Sequence, residues 1–234
     1  MKRKFFTFGL CALLVFGCNK TQQGAAIGAG SGVALGALVG ALIGGGKGAA
    51  IGAAIGGAVG TGAGVLIGKH MDKVAAEAAQ VKNASVEKVK DANGLDAVKV
   101  SFDSGILFKT GKYDLNETVK KNLNDFASVL TRNGDCDVQI FGHTDNTGFG
   151  AKYTAEQNAE KNRVLSEQRA QSVENYLMSV GVPKAQIKAI HGLGQTQPVG
   201  DNTTDLGRQQ NRRVEVYMYA SEKMIKAAEA GTLN

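Results

Sequence analysis

The sequence predicts an α+β fold of order βαβαββ, with both helices packed on one face of a mixed sheet. Three observations carry that expectation. Four short segments alternate apolar and polar residues at the period of a strand. Two longer segments space their apolar residues at the period of a helix, and each falls between two of the strands. A glycine-rich stretch of different composition precedes them, and it reads as a glycine-zipper helical hairpin.

The chain begins with a leader, residues 1–17. Lys2, Arg3 and Lys4 form a positive region ahead of the apolar run from Phe5 to Phe16, which is too short to span a bilayer and suits a secretory signal. The run stops at "VFGC", which resembles the lipobox of bacterial lipoproteins, with Phe16 where a small residue is usual. That resemblance implies acylation of Cys18, with residues 18–23 as the lipidated N-terminus and Asn19 permitting export to the outer membrane.

Residues 24–68 carry glycine at every fourth position from Gly24 to Gly68, separated mainly by Ala, Ile, Val and Leu, with Lys47 as the only charge. Glycine at i and i+4 lines a helix stripe along which a second backbone can approach closely. "GGGKG" at 44–48 divides the segment into halves of about 31 Å as helices, close to the thickness of a bilayer core. The expected element is a transmembrane-like hairpin, Gly24–Gly44 and Gly48–Gly68, turning at Lys47. The alternative is a glycine-rich spacer, against which stands the near absence of polar residues.

Residues 69–94 turn to Ala, Lys, Glu and Val and read as a solvated helical spacer, with a weak stripe through Val74, Ala78, Val81 and Val89 and an end at Asn93-Gly94. The compact domain is expected over residues 95–220. "LDAVKVSF" is its first strand. Asn116 should cap a helix carrying Val119, Leu123, Phe126, Ala127 and Leu130. "DVQIFGH" is the second strand, and Ser166 should cap a second helix with Ala170, Val173, Tyr176, Leu177 and Val180 on one face, ended by Gly181 and Pro183. "IKAIHGLG" and "RRVEVYMY" complete the sheet, and residues 221–234 form a tail expected to be a frayed helix.

Charge and cysteine content narrow the function. The chain holds 27 basic and 21 acidic residues, but residues 95–220 carry 15 of each, so the domain has no basic footprint for nucleic acid. Cys11 leaves with the leader and Cys18 is the lipid site. Cys136 is then left without an intrachain partner, flanked by Asp135 and Asp137, which disfavour a thiolate; an inert strand cysteine is expected.

The chemistry concentrates in "FGHTDNTGFG", residues 141–150, where a strand ends in His143, Thr144, Asp145 and Asn146. A zinc-dependent periplasmic hydrolase would need His143, Asp145 and His191 as ligands, yet no second ligand-rich cluster, G-x-S-x-G elbow or phosphate loop supports an enzyme. No metal or cofactor is expected. "GHTDNTG", "NRVLSEQRAQSVENYLMSVGV" and "GLGQTQPVGDNTTDLGRQQNRRVEV" together resemble the OmpA-like C-terminal family, shared by outer-membrane anchors, Pal lipoproteins and the MotB stator protein. "VSFDSGILFKTGKYDL" is similar to its opening strand and loop. With the lipobox and glycine zipper ahead of it, the whole chain resembles the YiaD-type subgroup of outer-membrane lipoproteins.

The resemblance implies non-covalent binding of peptidoglycan through the diaminopimelate of an uncrosslinked stem peptide, tethering outer membrane to wall. By motif position Asp145 would take the ligand ammonium and Arg169 its carboxylate, the latter helped by the N-terminal dipole of a helix starting at Ser166. Thr144 and Asn146 would shape the turn, Asn162 and Leu165 the pocket wall, and Asp103, Ser104 and Gly105 the other rim. Arg212 is either a pocket neighbour or an ion pair that holds the fold, the second being the simpler expectation; His143 reads as a satisfied strand histidine. Residues 149–161 exceed the family pattern and read as a helix-prone extension of the loop feeding Arg169, either outside the pocket or narrowing ligand access. The partners implied are peptidoglycan and outer-membrane lipid, with outer-membrane proteins or self-association through the glycine zipper as further possibilities. The same fold could also serve as a scaffold or stator component of an envelope machine.

Overall fold

The computed structural model describes residues 61–91 and 94–233; the leader, Cys18 and the glycine-rich stretch up to residue 60 lie outside the described residues. In chain order the elements are α1 (Thr61–Ala78), β1 (Ala84–Lys90), β2 (Asp96–Asp103), α2 (Ser104–Leu107), α3 (Glu117–Arg132), β3 (Cys136–Gly142), α4 (Ala155–Ser179), β4 (Ile187–Gly192), α5 (Asp205–Asn211), β5 (Arg213–Ala220) and α6 (Glu222–Glu229). The sheet runs β1-β2-β5-β3-β4, antiparallel except for the parallel pair β3–β4 that α4 connects. The last strand in sequence therefore sits at the centre, with both of its edges paired.

Alternation decides the faces of the sheet. Val98, Val100 and Phe102, then Val138 and Ile140, then Val214, Val216 and Met218 point to the helices and are at most 2 % exposed. Val119, Leu123, Phe126, Ala127 and Leu130 of α3 and Ala170, Val173 and Leu177 of α4 close the core from above, as their helical spacing predicts. Phe102 and Phe126 meet edge to face at 5.3 Å. The opposite face carries a smaller cluster of Val89, Ala97, Phe141 and Tyr217.

Four local expectations are corrected. Residues 84–90 are a strand, not the end of a solvated helix. The helix stops at Ala78, and Asn83 adopts a left-handed φ of 59°, a conformation that asparagine tolerates better than most residues. Pairing along β2 then outweighs the helical leaning of Lys, Glu and Ala. Second, α1 crosses from the glycine-rich segment into the proposed spacer, and Ile67, Met71, Val74 and Ala78 are fully buried in the core; α6 packs on α1 through Met224, Ile225 and Ala228. The domain thus extends on both sides of residues 95–220. Third, Asn116 precedes α3, but its side-chain amide donates to the Ile106 carbonyl instead of capping the helix.

The fourth correction bears on the site. Ser166 does not cap α4; Thr154 does, twelve residues earlier, or about 18 Å along the helix axis. Thr154 Oγ1 accepts from the Gln157 N–H, and Gln157 Oε1 accepts from the Thr154 N–H, a reciprocal capping box written in the sequence as T-A-E-Q. Most of the stretch beyond the family pattern is the opening turns of this helix.

A buried charge cluster lies beneath the end of β3. Glu215 accepts from Arg213 Nε at 2.7 Å and from the Tyr217 hydroxyl at 2.8 Å, and His143 Nε2 lies 3.4 Å away. Burial alone would raise the Glu215 pKa, but His143 and Arg213 hold it well below the usual range. His143, shifted down chiefly by burial, is neutral near pH 7. It is buried as expected, and its close polar neighbour among the described residues is Glu215, at the 3.4 Å limit of a hydrogen bond, so the ring is less well satisfied than the sequence predicts for a strand histidine. Because the folded pKa of Glu215 lies below its unfolded value, its stabilisation is present above about pH 4.3 and is lost as pH falls through the folded pKa. Glu215→Gln is expected to cost about 3 kcal/mol at pH 7, since Arg213 would be left buried without its carboxylate. It should also flatten the acid limb of stability against pH, measured by urea unfolding from pH 7 to pH 3; an acid limb as steep as the wild type's would assign that limb to other carboxylates.

Candidate ligand-binding pocket

Strand β2 ends at Asp103, β3 ends at Gly142, and the antiparallel β5 begins beside both, so three strand termini meet at one edge of the sheet. The segments leaving these ends surround a cavity of about 770 Å³. One wall comes from α2 and the loop after it, including Ser104, Gly105, Phe108 and Lys109; a second comes from Thr144, Asp145, Thr147 and Phe149; Asn162, Leu165 and Arg169 of α4 form the third. Arg212 enters from the start of β5.

Glycine sets how closely α4 approaches these strand ends. A Cβ on Gly142 would lie 1.9 Å from the Ser166 carbonyl oxygen, and one on Gly192 would lie 2.6 Å from the Arg163 carbonyl oxygen. The helix backbone rests directly on the ends of β3 and β4, which brings Asn162, Leu165 and Arg169 over the loop that carries Asp145. Ser166 fastens the contact: its hydroxyl accepts from the Gly194 N–H at 2.9 Å and donates to the Arg163 carbonyl at 2.7 Å.

Asp145 and Arg169 both line the cavity, as their motif positions imply, but they are not paired with each other. Asp145 Oδ2 accepts from Arg212 Nη1 at 2.5 Å, and Oδ1 accepts from the Thr147 N–H at 2.9 Å. Burial pushes the Asp145 pKa up, and Arg212 and Thr147 outweigh it, leaving the carboxylate below its ordinary range. Arg169 is 4 % exposed; its Nε donates to the Lys112 carbonyl at 3.0 Å, and its guanidinium lies 5.2 Å from the centre of the Phe108 ring. Burial, then repulsion by Arg212, lowers its pKa to about 10, with Asp145 opposing the shift. It makes no ion pair among the described residues. The pocket therefore holds a buried arginine without a carboxylate partner beside a carboxylate that is already shared.

Two hydroxyls add to this. Ser104 Oγ and Thr144 Oγ1 are buried at the pocket wall and make no hydrogen bond within the described residues. Buried polar groups of this kind cost about 1–3 kcal/mol each unless a ligand or solvent answers them. Asn162 is satisfied, its amide donating to the Thr147 carbonyl and to Gln195 Oε1, both at 3.1 Å; it shapes the wall rather than presenting a free donor.

Asn146 and Asp103 stand outside the cavity lining. Asn146 is exposed, and its N–H meets Asn202 Oδ1 at 3.4 Å. Asp103 caps α2, accepting from the Gly105 N–H at 2.6 Å and from Gln209 Nε2 at 2.9 Å; it orders the rim without lining it. The helix-dipole contribution at Arg169 falls away, because Ser166 is in mid-helix and such an effect fades within the first turn. The three residues considered as zinc ligands are also separated in role: His143 faces Glu215, Asp145 is held by Arg212, and His191 stacks on Phe141 at 4.7 Å.

The OmpA family model matches residues 107–212, and a YMGG-like Gly-zipper model matches residues 1–72. Across 88 % of its length the chain is 33 % identical to the lipoprotein YiaD of Escherichia coli (strain K12), covering 91 % of that protein. The chain belongs to the OmpA family. Among its OmpA-family relatives is the outer-membrane lipoprotein YfiB of Pseudomonas aeruginosa, 36 % identical over 50 % of this chain and 64 % of that one. Against outer membrane porin F of Pseudomonas fluorescens the match covers only 32 % of the relative. Several of the relatives carry names of lipoproteins or peptidoglycan-binding proteins, among them the peptidoglycan-associated lipoprotein of Buchnera aphidicola. Two solved structures share the fold. The cell wall anchor of the type VI secretion system from P. aeruginosa has a TM-score of 0.51 at 25 % identity, covering 64 % of this chain and 97 % of that one. A MotB-like protein of Desulfovibrio vulgaris has 0.55 at 24 %, covering 68 % and 99 %. No helix among the described residues is long and apolar enough to cross a membrane.

Within this OmpA-family domain Arg212, Phe108 and Thr147 are pocket residues that sequence reasoning left unassigned or assigned elsewhere. "NRRVE" offers consecutive arginines, and the boundary between α5 and β5 separates them: Arg213, on the strand, joins the buried Glu215 cluster while Arg212, which caps the end of α5, reaches Asp145. Phe149, from the stretch that exceeds the family pattern, lines the cavity and is 42 % exposed, so that stretch touches the pocket at its first residue only.

Proposed function

We propose that this chain is an outer-membrane lipoprotein whose domain binds peptidoglycan without catalysis, gripping the zwitterionic end of a diaminopimelate side chain. The observation that carries the reading is Arg169, a buried guanidinium with no ion pair among the described residues, sharing one pocket with the anionic Asp145. A ligand carboxylate answers the first in a bidentate geometry, and a ligand ammonium answers the second. Asp145 can accept it without releasing Arg212, because each carboxylate oxygen has more than one lone pair. Ser104 and Thr144 supply hydroxyls for the remaining polar atoms. The relatives named as peptidoglycan-associated or peptidoglycan-binding, and the solved cell wall anchor, support the same reading.

The experiment is a pull-down of the full chain on isolated sacculi, competed by free diaminopimelate. A fragment of residues 95–220 is unsuitable, since it lacks β1 and the buried face of α1. Retention on sacculi that free diaminopimelate does not compete would place the contact elsewhere on the wall; no retention would sink the proposal and favour a scaffold role, visible as co-purifying envelope proteins.

The anchoring half of the proposal rests on Cys18 and the glycine repeat; Cys18 and the repeat up to residue 60 lie outside the described residues. Cys18→Ser is expected to abolish lipid attachment and shift the protein out of the membrane fraction. Unchanged processing and fractionation of that variant would remove the lipoprotein reading while leaving wall binding intact.

A further inference from the structure

At the end of the sheet opposite the pocket, α1 meets the start of β3. Cys136 is the first residue of that strand, about 20 Å from Gly142 along it. Its Sγ lies 3.9 Å from Met71 Sδ, and both residues are fully buried. His70 Nε2 lies 3.4 Å from Asp135 Oδ1, and neither ring nitrogen of His70 makes a hydrogen bond although both are buried. One ligand atom each from His70, Asp135 and Cys136 falls within 4.8 Å of the others, the sole such group among the described residues.

We propose that His70, Met71, Asp135 and Cys136 form a site for a thiophilic d10 metal ion, Cu(I) by preference, that staples α1 to the sheet. The distances match a tetrahedral ion. Two sulfurs each about 2.3 Å from a metal stand roughly 3.8 Å apart, and two N/O ligands at about 2.0 Å stand roughly 3.3 Å apart. The observed pairs are 3.9 Å and 3.4 Å, so each half of the shell is already spaced as such an ion requires, and one ligand atom each from His70, Asp135 and Cys136 lies within 4.8 Å of the other two. A thiolate with a thioether is a soft donor pair, which selects Cu(I) over harder divalent ions, while the imidazole suits Cu(I) and Zn(II) alike. The Asp135 and Asp137 carboxylates that oppose a bare thiolate attract a cation, so binding exchanges the thiol proton for the metal. Asp135 and His70 are partly exposed and provide the way in; the sulfurs lie behind them. Met71 and His70 lie outside the segment matched by the OmpA family model and inside the one matched by the Gly-zipper model, so the staple would fasten the preceding segment to the OmpA-family domain.

The test uses the full chain in detergent with Cys11→Ser and Cys18→Ser, leaving Cys136 as its sole thiol. Anaerobic titration with Cu(I) against bicinchoninate should show one bound equivalent and a rise in melting temperature. Loss of a ligand should exceed the roughly 10- to 100-fold that losing an outer-shell partner costs, so Cys136→Ser and His70→Gln should weaken binding at least 100-fold. Met71→Leu should weaken Cu(I) binding and leave Zn(II) binding unchanged. If Cys136→Ser fails to fold, His70→Gln, at a partly exposed position, decides the matter together with the sulfur-to-metal absorption of a Co(II) complex. Binding in His70→Gln as tight as in the wild type, no bound equivalent at micromolar free Cu(I), or a preference for Zn(II) unaffected by Met71→Leu would each overturn the proposal.

Discussion

Arg169→Ala and Asp145→Ala chains are expected to lose about 30- to 1000-fold in affinity for sacculi, or roughly 2–4 kcal/mol. The size follows from what is left behind. Arg169 is 4 % exposed, so a ligand carboxylate deprived of it would sit in a partly dry pocket whose other guanidinium, Arg212, is already held by Asp145. Removing Asp145 has a second consequence, since Arg212 loses its carboxylate and the pocket turns wholly cationic. Arg169→Lys should recover only part of the affinity, because an ammonium cannot present two parallel donors or stack on Phe108. Arg212→Ala separates the roles within the pair. If Arg212 only positions Asp145, its loss should be milder than that of Asp145→Ala; an equal loss would make Arg212 a ligand contact. Each comparison requires wild-type melting behaviour. Full sacculus binding by both Asp145→Ala and Arg169→Ala would remove the pocket from the wall-binding role.

Gly142→Ala is expected to be the most disruptive single-methyl change in the domain, at about 3 kcal/mol or more, because its Cβ would meet the Ser166 backbone and not a side chain that can turn aside. Relief requires α4 to lift from the ends of β3 and β4. That would move Arg169 away from Asp145, so the variant should lose sacculus binding even where it still folds. Gly64→Ala in α1 is the control: nothing lies within 4 Å of the added Cβ, and helix propensity predicts a gain of up to about 1 kcal/mol. Denaturant unfolding of the two variants checks both figures, and a Gly142→Ala midpoint equal to the wild type's would mean that the close approach is not maintained in solution.

The sequence by itself determined the class of the fold, four of the five strands, the apolar face of α3 and most of that of α4, where Val180 is exposed after all, while only the resemblance to the OmpA-like family implied that Asp145 and Arg169 share a pocket. Those readings rest on local period and on short motifs, which a single chain displays directly. Only the tertiary structure decided the rest. Residues 84–90 carry a helix-leaning composition, and they are a strand because β2 offers an unpaired edge, a fact that no local window contains. The helical leaning of residues 155–161 was legible, and so was the T-A-E-Q capping box, but Ser166 ahead of an apolar face offers an equally good local cap, and only packing shows that the helix runs through it. Arg212 and Arg213 are adjacent and chemically identical, and their separation between pocket and buried cluster follows from the backbone: Arg212 caps the end of α5 just before the strand, while Arg213 is the first residue of β5. The meeting of Met71 with Cys136, 65 residues apart, was invisible for the same reason: sequence records what a residue can do, while packing decides what it faces.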